Sequence, residues 1–174
     1  MNAIRIVGID PGFQVTGYGI IDMEGNHLRL VEHGTIRATG EDTGERLHRI
    51  FRELGAVLDR CRPVEAAVER VFVHRNADSA LKLGQARGAA ITACAERLLP
   101  LFEYSATQVK QATVGKGHAT KQQVQHMVKV LLCLTAPPPP DAADALGIAI
   151  CHGHMRRGME RMPGVRGIRG GRLR

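Results

Sequence analysis

The pattern of apolar and polar residues predicts three short strands at the start of the chain. Consecutive apolar side chains in Ile4–Asp10 are typical of a strand buried on both faces. Pro11 and Gly12 turn the backbone directly after it. Val15–Met23 and His27–Ala38 are the next two candidates, and the second alternates apolar with polar residues. The short connections favour an antiparallel meander.

A helix and two further strands follow. Asp42 and Glu45 resemble a capping box, and apolar residues at three-four spacing then continue to the helix stop at Pro63. Ala66–Val73 and Leu99–Tyr104 predict the fourth and fifth strands. A strand-helix-strand connection of this length favours a parallel, right-handed crossover. The pattern therefore predicts an α/β fold with a five-stranded mixed sheet, an antiparallel meander plus two parallel strands, flanked by helices.

The second predicted helix has one face of small residues. It begins at a cap, Asn76, and extends to about Leu98. Ala80, Gly84 and Gly88 lie on the small face, which lets another helix approach closely. Two interpretations remain open: this face packs on the helix's own sheet, or it forms a subunit interface.

A glycine-rich basic stretch, Val109–Lys121, precedes the next helix. Thr120 and Gln123 form a capping box there. A basic loop that enters a helix N-terminus is a candidate anion site, although its spacing does not match a nucleotide-binding P-loop. A mobile surface loop is the alternative.

The C-terminal part reads as one more helix and a tail. After the stiff connector Pro137–Pro140, a helix is expected from Asp141 to about His154. Residues 156–174 are rich in arginine and glycine without apolar periodicity. We expect one folded domain over residues 1–155 and a flexible basic tail over residues 156–174.

The charge of the chain points to a polyanionic partner. The 174 residues suffice for one domain with a substantial core, and the formal net charge is +7. No amphipathic basic helix stands out, so nucleic acid is a better candidate partner than a membrane.

The four cysteines are scattered and form no CxxC pair, so they suggest neither a zinc site nor a disulfide framework. Cys61, Cys94 and Cys133 fall in helical apolar patterns and are expected in the core. There is no secretory or membrane-spanning pattern, and we expect a cytoplasmic protein with reduced thiols.

Four carboxylates are placed where an α/β topology would gather them. Asp10 and Glu69 end two predicted strands, and Asp141 and Asp144 lie one turn apart at a helix start. Each has an ordinary interpretation alone: an Asx turn, a surface charge, or helix capping. Together they suit Mg²⁺, and two ions about 4 Å apart hydrolyse phosphodiesters in known enzymes. A basic protein with this cluster is most simply a nuclease.

His152 and His154 are two residues apart and face different ways on a helix. We interpret them as residues of the helix end rather than metal ligands.

Several motifs resemble the RuvC family of bacterial Holliday junction resolvases, and the resemblance covers nearly the whole chain. The motifs are Gly8–Gly12, Thr16–Gly19, Glu69–Phe72, Asn76–Gly88, Phe102–Tyr104, Gln108–Gln111, Gln123–Met127 and Asp141–Leu146. The Asn76–Gly88 and Asp141–Leu146 blocks are highly specific, whereas the Gly-Ile-Asp-x-Gly start alone is not.

The resemblance implies an RNase H-like fold with nuclease activity over residues 1–155, a homodimer, and Mg²⁺-dependent symmetric nicking of four-way junctions, with Mn²⁺ as a substitute. Family catalytic and metal-binding positions fall on Asp10, Glu69, Asp141 and Asp144, and some members carry histidine at the position of Asp141. The resemblance also implies a junction-binding and branch-migrating pair of partner proteins.

The resemblance assigns DNA contacts as well. Phe72 matches an aromatic residue that stacks on an unpaired base, and the alternative is a core side chain. Lys110 and Lys121 match basic residues near the scissile phosphate, and the alternative is a solvated face.

Three other functions are weighed against this one. The first is an RNase H-like nuclease that acts on RNA–DNA hybrid or RNA. The second is an ATPase of the sugar-kinase and actin group, which needs two such domains. The third is a non-catalytic DNA-binding module, in which four carboxylates near phosphates would weaken binding.

Overall fold

The chain folds into a five-stranded sheet with helices on both faces. The computed structural model describes residues 3–70, 76–160, 168–169 and 172–173. The strands of the main sheet are β1 (Ile4–Asp10), β2 (Val15–Glu24), β3 (His27–Arg37), β4 (Glu65–Glu69) and β5 (Leu101–Tyr104). The helices are α1 (Thr43–Cys61), α2 (Ala77–Glu96), α3 (Ala106–Val114), α4 (Lys121–Leu131) and α5 (Pro140–Glu160).

The strand order is β3-β2-β1-β4-β5. β1 pairs antiparallel with β2, and β2 with β3, so the predicted meander is confirmed. β4 pairs parallel with β1 on one side and with β5 on the other. The predicted mixed α/β sheet is therefore confirmed, and the parallel strands direct their carboxyl ends to one edge.

β1 lies at the centre of the sheet and is buried on both faces, as predicted. Val7 and Ile9 pack with α1 and α2 on one side. Ile6 packs on the other side with α4 and α5. All three side chains are at most 1% exposed, and burying each one contributes about 1.5–3 kcal/mol.

α1 begins at the predicted cap, although the capping box is only half formed. Asp42 accepts a hydrogen bond from the backbone N–H of Glu45 at 2.8 Å. The Glu45 carboxylate accepts from the backbone N–H of Glu41 instead of Asp42. Helix α1 ends at Cys61, and its C-cap, Arg62, adopts a left-handed backbone conformation with a φ of 50°.

The face of α2 that packs on the sheet is not the face of small residues predicted from the sequence. Ala86, Ala90 and Cys94 are buried, whereas Gly84 and Gly88 are exposed with open space around them. The interpretation that the small face packs on the helix's own sheet is therefore wrong. A subunit interface stays a prediction.

The stretch predicted as a glycine-rich loop contains a helix, α3. Its cap is Ser105, which forms a reciprocal capping box with Gln108. The loop is confined to residues 115–120, where Gly115 has a φ of 79°. The capping box of Thr120 and Gln123 at the start of α4 is confirmed.

α5 is longer than predicted and begins one residue earlier. Pro140 occupies its first turn, where a missing N–H is tolerated. The helix continues past His154 to Glu160. Beyond it, Ile168–Arg169 (β6) and Arg172–Leu173 (β7) pair antiparallel.

Two of the three cysteines assigned to the core are there. Cys61 and Cys94 are buried, but Cys133 is exposed. It follows the end of α4 and has a φ of 53°, so the chain turns outward at this position. No helix among residues 3–70 and 76–160 is long and apolar enough to cross a membrane.

Three glycines on one sheet face allow α5 to lie directly on β1 and β2. A Cβ atom on Gly8 would lie 2.0 Å from the carbonyl oxygen of Ala145. A Cβ on Gly17 would lie 2.1 Å from the carbonyl oxygen of Asp141. A Cβ on Gly19 would lie 2.6 Å from side-chain atoms of Leu146. The absence of side chains here sets how close α5 approaches the end of β1.

Gly8→Ala should destabilise the fold, because the obstructing atoms belong to the backbone of α5 and cannot rotate away. We expect a loss of at least about 1–3 kcal/mol in the free energy of unfolding, measured by urea denaturation. The matched control is Gly158→Ala, since Gly158 lies in α5 and a Cβ added there would have no other atom within 4 Å. That variant should be neutral or up to about 1 kcal/mol more stable. Equal stability of both variants would contradict the close approach.

Candidate active site

Two strand-end carboxylates lie on adjacent strands. Asp10 is the last residue of β1 and Glu69 the last residue of β4. The parallel register of the two strands runs from Ile6–Glu65 to Ile9–Val68. Both acids are therefore at the same edge of the sheet, as predicted.

Helix α5 adds a third carboxylate to this edge. Asp10, Glu69 and Asp144 line one cleft of about 180 Å³, together with Lys110 and Lys121. The remaining lining residues are Ala106, Val109, Val124 and Ile148. The structure thus brings together three of the four predicted acids and both predicted lysines.

Asp141 lies farther from the centre of this site. It is partly exposed and does not line the cleft. Its negative charge still raises the pKa of Asp10, although it is the smallest of the contributions to that pKa. The structure therefore places Asp141 beside the cluster rather than within it.

Burial and mutual repulsion perturb the acids of the cleft. The pKa of Asp10 is raised from 3.8 to about 7, first by burial and then by the charges of Asp144 and Glu69. Burial followed by the charge of Asp144 also raises the pKa of Glu69. Assembling these carboxylates costs free energy, which a bound cation would offset.

Lys121 supplies a positive charge within the cleft. Its Nζ donates to Oδ2 of Asp144 at 3.0 Å, and this bond raises the pKa of the lysine. The charges of Lys121 and Lys110 both lower the pKa of Glu69. Lys121 follows the cap Thr120, so the capping box at the start of α4 fixes the backbone that carries it.

The donor chemistry of the cleft fits a hard divalent cation, since carboxylate oxygens are the ligands that Mg²⁺ prefers. Across residues 3–70 and 76–160, no three His, Cys, Asp or Glu side chains are grouped closely enough to hold a metal ion. The acids are near enough to shift one another's pKa, with the Lys121 ammonium among them. Charge and ligand type therefore match a cation, while tight coordination requires the side chains to converge further.

His152 is not a residue of the helix end. It is fully buried in the middle of α5, where Nε2 donates to Glu65 at 2.8 Å and Nδ1 lies 2.8 Å from the Tyr104 hydroxyl. Arg156 donates to the same Glu65 carboxylate at 3.1 Å. This network joins α5 to β4 and β5. His154 also lies inside α5, which continues to Glu160, so the helix-end interpretation is wrong for both histidines. It points elsewhere, as predicted, and its Nδ1 donates to the carbonyl of Ala112.

Sequence reasoning missed the contribution of α3 to the site. Ala106 and Val109 form part of the cleft wall, and Lys110 projects from the same helix. The signal was present in Ser105 and Gln108, which have the same capping-box spacing as the pair recognised before α4. Phe72, the predicted base-stacking residue, lies outside the described residues.

A larger surface cleft, of about 740 Å³, lies beside α1. Its lining contains both acidic and basic side chains, including an Arg49–Glu53 pair at 3.9 Å. It contains none of the perturbed carboxylates, so we assign the chemistry to the smaller cleft.

Known proteins resemble this chain over almost its full length. The family model described as "Crossover junction endodeoxyribonuclease RuvC" matches residues 6–152. A protein of that name from Hahella chejuensis is 52% identical over 171 residues, which are 98% of this chain and 99% of the relative. The Methylococcus capsulatus protein of the same name is 56% identical over 158 residues, which are 91% of this chain and 95% of the relative.

A solved structure agrees with the fold. Thermus thermophilus RuvC in complex with Holliday junction substrate matches with a TM-score of 0.84 and 37% identity, over 89% of this chain and 96% of that one. The fold is accordingly RNase H-like. The match of the family model to residues 6–152, together with relatives above 50% identity over at least 91% of the chain, establishes that this chain belongs to the crossover junction endodeoxyribonuclease RuvC family.

Proposed function

We propose that this protein is a structure-selective DNA endonuclease that resolves four-way junctions by paired, symmetric nicks in recombination and repair. The observation that carries the proposal is the cleft in which Asp10, Glu69 and Asp144 meet Lys110 and Lys121. Family membership supports the reaction class, and the junction complex of the Thermus thermophilus relative supports the substrate. The net charge of +7 favours a polyanion.

Asp10, Glu69 and Asp144 are proposed to hold divalent metal, most simply two Mg²⁺ ions with Mn²⁺ as a substitute, and Asp141 to assist from the edge. When bound there, such ions supply an activated water and Lewis-acid stabilisation of the leaving 3′-oxygen. The raised pKa of Asp10 supports this assignment, because its carboxylate is held among like charges at a free-energy cost.

Lys121 is proposed to exchange partners when DNA binds. Its ammonium is paired with Asp144 at 3.0 Å in the protein alone, and its side chain is 84% exposed. A phosphate at the cleft would compete for this ammonium and would release Asp144 to act as a ligand. Lys110, which lines the same cleft from α3, would hold the same phosphate group as a second point charge.

Phe72 is proposed to stack on an unpaired base at the crossover, a contact worth about 1–3 kcal/mol. It follows Glu69 by three residues, so it lies close in sequence to the end of β4.

A homodimer is proposed on grounds of substrate symmetry. A four-way junction has an approximate twofold axis, and one cleft per chain nicks one strand, so two copies about a twofold axis match the substrate. The exposed face of α2 is the candidate interface, since Gly84 and Gly88 have open space above them and Leu81 is 62% exposed.

Three further assignments complete the proposal. Residues 1–155 are proposed as the nuclease domain and residues 156–174 as a basic extension, although α5 continues to Glu160 across this boundary. We propose a cytoplasmic location, where the substrate DNA is found in bacteria, and a junction-binding and branch-migrating complex as partner.

Asp10→Asn, Glu69→Gln and Asp144→Asn should each abolish strand cleavage and leave junction binding intact or tighter, because removing negative charge near phosphates cannot weaken Coulomb attraction. The measurement is gel analysis of four-way junction, plain duplex and RNA–DNA hybrid, each with Mg²⁺ and with EDTA. Cleavage should require the junction and Mg²⁺. Preferential cutting of the hybrid would favour the RNase H-like alternative, and wild-type cleavage by Asp144→Asn would remove that residue from the site.

The metal-free protein should lose stability as pH rises towards 7. The folded pKa of Asp10 is about 7 and the unfolded value near 3.8, so between these values only the folded state holds the proton. Folding is therefore penalised progressively from about pH 4 to about pH 7, and the penalty is constant above that range. Asp10→Asn should be more stable than wild type at about pH 8. The difference in the free energy of unfolding should be a few kcal/mol, because each pKa unit corresponds to about 1.4 kcal/mol.

Urea unfolding in EDTA at both pH values measures this difference. Most of the advantage of Asp10→Asn should be lost by about pH 4, where the folded wild type is protonated and its unfolded state is close to half protonated. A pH-independent difference would contradict the raised pKa of Asp10.

Gly84→Leu should weaken self-association and paired nicking without unfolding the chain, because nothing lies within 4 Å of a Cβ at this position. Sedimentation reports the mass, and a supercoiled cruciform plasmid reports linear versus nicked product. Gly158→Leu is the matched control on another helical glycine in open space. A Gly84→Leu protein that stays dimeric and linearises the cruciform would exclude this face as the interface.

A further inference from the structure

The carbonyl group of Glu69 faces a gap in the sheet pairing. On the β5 side, the N–H of the next residue, Arg70, donates to the carbonyl of Tyr104 at 2.7 Å. The backbone N–H and C=O groups of Glu69 point towards β1, and the paired register of β1 and β4 ends at Ile9 and Val68. In a parallel ladder the next donor to the Glu69 carbonyl would be residue 11 of the β1 side, which is proline. Because proline has no N–H, the ladder cannot satisfy this carbonyl.

Arg87 of α2 provides the donor that Pro11 lacks. Its Nε donates to the carbonyl oxygen of Glu69 at 3.3 Å. The other side of the same guanidinium donates through Nη2 to the carboxylate of Glu103 on β5. The Arg87 side chain is 20% exposed, so these bonds are partly shielded from water.

Glu103 holds Arg87 in this orientation. It is the register partner of Val68, so its side chain lies on the same face of the sheet as Val68, towards α2. Its second oxygen lies 3.7 Å from Nε of Arg70. The carboxylate therefore ties the guanidinium of α2 to the ends of both β4 and β5.

The contact constrains Glu69 from the face opposite to the cleft. The Glu69 carboxylate lines the cleft beside Asp10, on the side of the sheet covered by α3, α4 and α5. Arg87 approaches from the α2 side and holds only the backbone carbonyl. It can thus fix where the carboxylate is presented without occupying the cleft.

We propose that Arg87 is a positioning residue for Glu69, held in place by Glu103. Without the hydrogen bond from Arg87, the peptide group between Glu69 and Arg70 loses one of its contacts at the end of β4. The carboxylate is then less precisely placed against Asp10 and Asp144. This inference rests on the proposed function of the cleft, and misplacement of a reacting group by about 1 Å can cost on the order of 100-fold in rate.

The test compares Arg87→Ala with Lys82→Ala. Both remove one positive charge from α2, but among the residues that the structure describes the ion pair of Lys82 lies within the helix, with Asp78 at 2.7 Å. Single-turnover cleavage of a four-way junction is measured with Mg²⁺, and junction affinity with EDTA. We expect Arg87→Ala to cleave about 10–100-fold more slowly with affinity within about twofold of Lys82→Ala, and Lys82→Ala to cleave at the wild-type rate.

A second readout does not depend on activity. Amide hydrogen exchange of the metal-free protein should be faster at Arg70 in Arg87→Ala than in wild type, and unchanged in the middle of β1. Arg87→Lys keeps the charge beside Glu103 but lacks the planar fork, so it should retain affinity and stability while recovering only part of the rate. Glu103→Ala combined with Arg87→Ala should be no slower than Arg87→Ala alone.

The outcomes separate the two proposals. If the wild type cuts no junction and Asp10→Asn behaves identically, the proposed function is wrong. In that case hydrogen exchange at Arg70 alone tests the positioning role of Arg87. Unchanged exchange at Arg70, or wild-type cleavage by Arg87→Ala or Arg87→Lys, overturns the positioning role. A loss of rate matched by an equal loss of affinity would make Arg87 a DNA contact instead, which also overturns it.

Discussion

The close contact between helix α5 and the glycines of β1 and β2 is the constraint on which the candidate site depends. Atoms of the α5 backbone occupy the space that a Cβ on Gly8 or Gly17 would need. An ordinary side chain at either position would push the start of α5 away from the sheet. Asp144 would then move away from Asp10, and the repulsion that raises the pKa of Asp10 would weaken. The absence of two side chains thus sets the electrostatics of the cleft.

The candidate site brings negative charges together at a cost in free energy. Three carboxylates share one cleft, and burial adds to their mutual repulsion. The fold offsets part of this cost with Lys121, whose position is set by the capping box at the start of α4. A cluster of carboxylates that repel one another in the protein alone is consistent with a site completed by a cation, because a cation reduces the repulsion.

Helix α2 connects two parts of the proposed function. Its exposed glycines, Gly84 and Gly88, leave a face open for a second copy. Arg87, between them in sequence, turns the other way and holds the carbonyl of Glu69. A helix at the subunit interface would therefore also support one acid of the cleft. On the other side of the sheet, His152 joins α5 to Glu65 and Tyr104, so both helix layers brace the strands that carry the acids.

The sequence alone determined the five strands of the main sheet, their topology, and the three acids and two lysines of the cleft. Apolar runs ending in Asp10 and Glu69 are local signals, and crossover handedness makes their meeting predictable. Tertiary structure decided what depends on packing: the exposed face of α2, the outward turn at Cys133, and the burial of His152. It also separated Asp141 from Asp144, since a spacing of three residues shows that side chains share a helix face but not how far each reaches into a cleft. Arg87 was invisible to sequence reasoning because its partner is a backbone carbonyl, which every residue carries and which only the end of the β1–β4 ladder leaves available.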